Sequence, residues 1–399
     1  MKPLHVALAL VLAVGGVAAC TEKLAAPADC PALCPGGTAT VVDTVLTAIP
    51  GADSTFFGYI PADSVPALPV SNGTPALDSR AVFRFAPRLD TVRISDTVRT
   101  YKIDSATVTI GLQERDTLLT GLSVALYRLP ARIDTTISFD AVNAAITPGN
   151  FVMRIPIPDS LRTGTVVGRL YGDSLSRIAI PAADSGILSV ALVLEAATPT
   201  GIRVSGYNAT SNLTAFNTYG SINGLTGNAA FQNYARNLAF STYVFAPLPP
   251  APAGALVLGG APSSRAVIRF PWPAKLRDSA TIIRATLELV PALPVLGIGA
   301  EATAFVVQPL VADLGAKSPL DNNYPIGITI PNGATDTVRA EIATITRLWQ
   351  GTSTRPRTIF LRSSPEGGSF GRPVFGSTAT GVPPRLRITY LKPFKFENP

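Results

Sequence analysis

Gly367, Ser369 and Gly371 stand at the spacing of a G-x-S-x-G nucleophile elbow. An elbow needs a strand before the serine, a helix after it and a histidine to take its proton. Pro365 and Glu366 precede the motif, Pro373 follows it, and the single histidine is His5, inside an N-terminal segment expected to be removed. The processed chain then has no imidazole, which excludes Ser-His-Asp triads, His bases and His metal ligands. The motif therefore reads as a glycine-rich hairpin loop. The 26 Asp and Glu residues permit glycoside hydrolysis by paired carboxylates. A His-free polysaccharide lyase could use Tyr with Arg or Lys. Neither set clusters along the chain, because Asp falls mostly in Asp-Thr and Asp-Ser pairs that suit Asx-turns. Asp313 and Asp321-Asn322-Asn323 could offer oxygens to a structural Ca²⁺, which takes about six to eight, or could form a solvated loop. No other cofactor is expected. Sugar binding would use ring faces stacked on pyranose C–H groups, and the candidates are Tyr207, Tyr219, Tyr234, Trp272 and Tyr324, with ordinary packing the alternative for each. Trp349 is assigned to the core, since it keeps helical spacing with Ile345 and Ile342.

The N-terminus reads as an export signal. Lys2 gives a positive start, Leu4 to Val14 an apolar stretch, and Gly15 to Ala19 a small-residue run. Ending in Val17-Ala18-Ala19-Cys20, this segment resembles the lipobox of bacterial lipoproteins. The resemblance implies cleavage before Cys20 and acylation of that residue, whose chains would anchor the protein in a bilayer. Thr21, in place of Asp, implies the outer membrane. Residues 1–19 are then a signal peptide and 20–39 a lipidated tether. An exported chain permits a disulfide between Cys30 and Cys34, in Asp-Cys-Pro-Ala-Leu-Cys-Pro. Two thiols without a histidine are too few for a metal site.

The elements that must position any site come next. The 399 residues suit about two domains. Hydrophobic residues at 47% and charged residues at 15% supply a large core. After residue 20 no apolar run approaches the roughly 20 residues of a spanning helix. The net charge of +7 is spread singly rather than in a basic stripe, so nucleic-acid binding is not expected.

An internal repeat orders the rest. Ser54-Thr55-Phe56-Phe57 is echoed by Ser241-Thr242-Tyr243-Val244, Arg80 to Phe85 by Arg265 to Phe270, and Ser105 to Ile110 by Arg284 to Leu289. The offset shrinks between the last two pairs, which places a longer loop in the first copy, within Arg88 to Thr100. Ala81, Phe83 and Phe85 alternate with Arg80, Val82 and Arg84, the period of a half-buried strand. Further strands are expected at Ser123–Leu129, Ile178–Ile180, Ile187–Leu194, Thr303–Val307, Ile326–Ile330, Thr358–Leu361 and Arg385–Leu391, and a helix over Val338–Trp349. Frequent turns, from 36 Pro and 33 Gly, predict an all-β chain of two tandem antiparallel sandwiches. The expected bounds are 40–206 for the first and 238–393 for the second. Residues 207–237, rich in Asn and Tyr, are a linker, a long loop or a completion of the first sandwich.

The second copy resembles the DNRLRE-type domains through Ala266-Val267-Ile268-Arg269-Phe270-Pro271 and Ile282-Ile283-Arg284-Ala285-Thr286-Leu287-Glu288-Leu289. Thr346 to Gly351, Thr358 to Leu361 and Pro384 to Tyr390 follow in that family's order. The resemblance implies jelly-roll sandwiches of the carbohydrate-binding-module kind. The expected role is a non-catalytic envelope module for binding, adhesion or scaffolding, with a polysaccharide or an envelope protein as partner. A structural assembly role without a sugar ligand, and a His-free lyase or hydrolase, are the alternatives.

Overall fold

The structure, a computed structural model, describes residues 40–74, 77–87, 91–179, 184–299, 301–351 and 354–392. The expectations for His5, Cys20, Cys30 and Cys34 lie outside the described residues.

The first part of the chain forms β1 (Val41–Thr47), β2 (Ser54–Phe57), β3 (Ala67–Ser71), β4 (Ser79–Phe85), β5 (Thr91–Ile94), β6 (Thr97–Arg115), β7 (Ser123–Arg128), α1 (Phe139–Ala144), β8 (Phe151–Pro156), β9 (Gly164–Tyr171), β10 (Ser189–Glu195), β11 (Gly201–Ser205) and β12 (Ala215–Ile222). The second part forms β13 (Phe231–Phe245), β14 (Leu256–Val257), β15 (Gly259–Gly260), β16 (Ser263–Arg269), α2 (Ala274–Arg277), β17 (Thr281–Leu289), β18 (Thr303–Pro309), β19 (Ile326–Ile330), β20 (Val338–Glu341), α3 (Ala343–Gly351), β21 (Thr358–Ser364), β22 (Val374–Phe375) and β23 (Arg385–Leu391). The strand pairings are antiparallel, and the protein is all-β and sandwich-like.

The repeat seen in the sequence is a repeat of pairings. In the first part β6 lies between β12 and β9, and β4–β10–β7–β8 run side by side. In the second part β17 lies between β23 and β20, and β16–β21–β18–β19 run side by side. The pairs β3–β11 and β3–β4 likewise match β14–β22 and β15–β16. One feature departs from two alike open sandwiches. β13 pairs with both β12 and β4, so β13-β12-β6-β11-β3-β4 closes a ring of six strands in the first part.

Period-two alternation built the two main cores. Ala81, Phe83 and Phe85 of β4 meet Ala106, Val108 and Ile110 of β6 in one. Ala266 and Ile268 of β16, with Phe270 just after it, meet Ala285, Leu287 and Leu289 of β17 in the other. Burying each large apolar side chain stabilises by roughly 1.5–3 kcal/mol. The reverse face of β4 is covered too. Val82 packs with Val142 of α1, while Arg80 and Arg84 lie over the rings of Phe139 and Phe240.

Several expectations change. Residues 41–57, expected in the first unit, pair with the second: β1 with β23 and β2 with β16. Of the three readings left open for residues 207–237, a linker, a long loop or a completion of the first sandwich, the structure fits the last, since they hold β12 and the start of β13, both in the first sheet. The helix expected from Val338 starts at Ala343, because Val338–Glu341 pairs with β17 and the Glu341 carboxylate accepts from the Ala343 N–H. Ile342, Ile345 and Trp349 are fully buried, as their spacing predicts. Ile178 lies at the end of a 3-10 helix, Gly172–Ile178, rather than in a strand. That helix follows β9 as α3 follows β20.

The two cores meet at the G-x-S-x-G loop. Phe370 packs into the first core from the turn between β21 and β22. Arg203 of β11 lies 5.2 Å over its ring, donates from Nε to the Gly368 carbonyl at 2.6 Å and pairs with Glu114 and Glu301. A Cβ at residue 201 would stand 2.6 Å from Phe370 Cε1, so the contact requires Gly201.

Candidate functional site

The glycine-rich loop holds no elbow. Ser369 is buried, its Oγ accepts from the Gly371 N–H, and no helix follows. Its geometry serves the junction between the cores.

The calcium candidates are held by arginine. Asp313 accepts two hydrogen bonds from Arg269, at 2.6 and 2.7 Å, and one from Thr358. Asp321 accepts from Arg355 at 2.5 Å and from the Asn323 N–H. These bonds, led by the arginine ones, hold both carboxyls below the usual carboxylate range. Asn322 Oδ1 accepts from Gln308. The oxygens are thus used by cations and amides already, and among the described residues no cluster of three metal-ligating side chains occurs.

The five aromatic candidates do not share a face. Tyr207 is exposed just after β11, where its N–H donates to Ser241 Oγ. Trp272 packs edge-on against Trp349, with ring centroids 5.2 Å apart, beside the second core. Tyr324 is half-buried in the loop between β18 and β19. Tyr234 sits opposite Thr218, which is buried, and so lies on the inner face of its sheet. It meets Tyr101 edge-on at 5.0 Å, and burial raises the Tyr101 hydroxyl above its ordinary range. Tyr219, one residue from Thr218, points to the outer face and is 38% exposed.

Register supplies Tyr219 with partners. Ser105 of β6 pairs with Tyr219 on one side and with Tyr171 of β9 on the other. One row across the sheet is therefore Tyr171, Ser105, Tyr219 and Asn233. The next row is Arg169, Thr107, Asn217 and Ala235. Cross-strand neighbours project to the same face. The two tyrosines stand two strands apart, about 10 Å at the usual strand spacing. Tyr171 is 72% exposed, and Arg169 is exposed with no ion pair or hydrogen bond among the described residues. Ser105, Thr107, Arg169, Tyr171 and Tyr219 line a shallow depression of about 420 Å³.

The platform is rigid because its underside is core. Ala106, Val108, Leu170 and Phe216 alternate with the outward residues and are buried. Rings flanked by hydroxyls, amides and a guanidinium suit a hydroxyl-rich chain lying flat. Tyr171 and Arg169 were missed by sequence reasoning. Their signal was the alternation Val166, Gly168, Leu170 against Val167, Arg169, Tyr171, which glycine weakens.

Two other depressions are less suited. In one, Tyr127 and Phe151 pack edge-on at 5.7 Å, and Arg154 is committed to Glu195, whose carboxyl it holds below the usual range. In the other, Asp53 is committed to Thr378. No protein-family model matches the chain, and no curated protein matches it in sequence.

Proposed function

We propose that this protein is a non-catalytic polysaccharide-binding module of a bacterial envelope, anchored by lipid on Cys20. The observation that carries the reading is the row Tyr171–Ser105–Tyr219, two exposed rings on either side of a hydroxyl on one rigid sheet face. Ring faces shed water readily and stack on sugar C–H groups, while Thr107, Asn217 and Arg169 supply hydrogen bonds. The matched pairings of the two parts support a finer reading of the fold as tandem jelly-roll sandwiches of DNRLRE type. The apolar segment before Cys20 supports the anchor and an outer-membrane location.

A glycan array with the soluble chain lacking its first 20 residues tests the binding. Retention on at least one polysaccharide is expected. Tyr171→Ala and Tyr219→Ala should each weaken it about tenfold, or ~1.4 kcal/mol, without lowering Tm. Absence of retention on every neutral and acidic polysaccharide would overturn the reading. In cells, Cys20→Ser should move the protein from the membrane to the soluble fraction.

Arg169 beside Tyr171 also favours a second reading, a His-free lyase, in which Arg would neutralise a uronate and Tyr abstract a proton. The two rings stand two strands apart with only Ser105 between them, a spacing that suits stacking along a chain. Binding is therefore preferred, and release of unsaturated, ultraviolet-absorbing products from a uronate polymer would reverse the preference.

A further inference from the structure

Residues 54–57 and 241–244 echo each other in sequence, and the structure uses them in opposite parts of the molecule. β2 lies along β16, with Ser54 opposite Val267 and Thr55 opposite Ala266. In the first part the corresponding strand β4 is flanked by β13, with Thr242 opposite Val82 and Tyr243 opposite Ala81. The neighbouring segments behave alike. β1 runs along β23, while the first stretch of β13, Phe231 to Asn237, runs along β12. Each repeat therefore hands its leading strands to the other. The first part is closed by residues 231–245, and the second by residues 41–57.

The second part thus holds an extended segment in a cleft between β16 and β23. Leu46 and Ala48 are buried in its core. The Ile49 N–H donates to the Arg269 carbonyl and the Gly58 N–H to the Ser263 carbonyl. Arg265 lies 4.0 Å from the Tyr59 ring centroid, and the Tyr59 hydroxyl donates to the Ala316 carbonyl. These anchors end at Ile60, whose N–H donates to Ser263 Oγ. By Val65 the chain is in the first core. The crossing is one 3-10 turn, Ala62–Ser64, set between Pro61 and Pro66.

We propose that this cleft is a strand-binding site and that two copies of this chain exchange residues 40–60 across it, giving a closed dimer. The strand pairings and buried side chains of residues 41–59 belong to the second part, and only Ile60, at the crossing, also packs against the first core, so a second copy's segment can make the same pairings. The choice between the two then rests on tether length and chain concentration. Backbone pairing supplies the affinity, and the pocket for Leu46 supplies the register.

The test uses the full chain in two populations, one tagged at the N-terminus and one at the C-terminus. They are unfolded together, refolded at high concentration, and cut at a protease site engineered into the turn 62–64. The N-terminal tag should then stay bound to the C-terminally tagged copy under native conditions and leave on denaturation. Deleting Ala62–Ser64, which also removes the Ala62 packing and the Asn208 bond to the Ser64 carbonyl, should shift the purified protein from monomer to dimer. Refolded material that carries each N-terminal tag only on its own copy overturns the proposal, whether or not the deletion variant folds.

Discussion

Arg203 carries a full charge at 3% exposure, and its environment is shaped to hold it. Its guanidinium serves a carbonyl, two carboxylates and a ring face, and these partners come from both parts of the chain. Replacing it with Met leaves the Gly368 carbonyl and Glu301 without their donor. The expected loss is about 3–5 kcal/mol, read from urea unfolding. Arg203→Lys should recover only part of it, since an ammonium lacks the planar fork. An unchanged midpoint for Arg203→Met would mean that the junction is not held there. Sites at this scale were only partly legible in the sequence. Ring type singled out Tyr219 and, equally, Tyr234, which faces inward one strand away. Only register tells them apart, and register depends on which strands pair. Tyr171 becomes part of the platform through Ser105, a residue with no chemical signature of its own.

Strands were the most legible elements. The expected bounds of β19 and β23 match the structure, because alternating apolar residues are framed by Pro or Gly in each. Val338–Trp349 was ambiguous for a physical reason. Val338 and Ala340 fit a period of two, while Val338, Ile342 and Ile345 fit a helix, and pairing with β17 decided the first turn as strand. The platform depends on an irregularity that no pattern announces. β6 and β12 slip register between Tyr219 and Gly220. A Cβ at residue 220 would lie 2.1 Å from the Lys102 carbonyl oxygen and 2.8 Å from Tyr101 Cζ. Gly220→Ala should therefore spread the two strands and tilt Tyr219 out of its row. Polysaccharide affinity is expected to fall at least as far as with Tyr219→Ala, together with a drop in Tm, which Tyr219→Ala alone does not produce. Full affinity in Gly220→Ala would show that the slip does not position the ring.

At the scale of the molecule, the matched pairings of the two parts were legible from three echoed segments, but the crossing of leading strands between the parts was not. Sequence order places residues 41–57 beside the first copy, and only the pairing of β1 with β23 reveals their true neighbour. The two cores share Arg203, Phe370 and the crossing near Pro61, so neither loses its structure without disturbing the other. Calorimetry should show one transition with matching calorimetric and van't Hoff enthalpies. Two resolved transitions would contradict this coupling. The same closure brings the first and last described residues together. Val41 sits opposite Leu391, and the Lys392 N–H donates to the Thr40 carbonyl at 3.0 Å. Residues 40 and 392 thus share one spot on the body, like two cords at a single buttonhole. A pull applied there, as the proposed lipid anchor would apply it, would load the outermost ribbon of the second core, while the tyrosine-bearing face belongs to the first part of the chain and would bear no direct share of it.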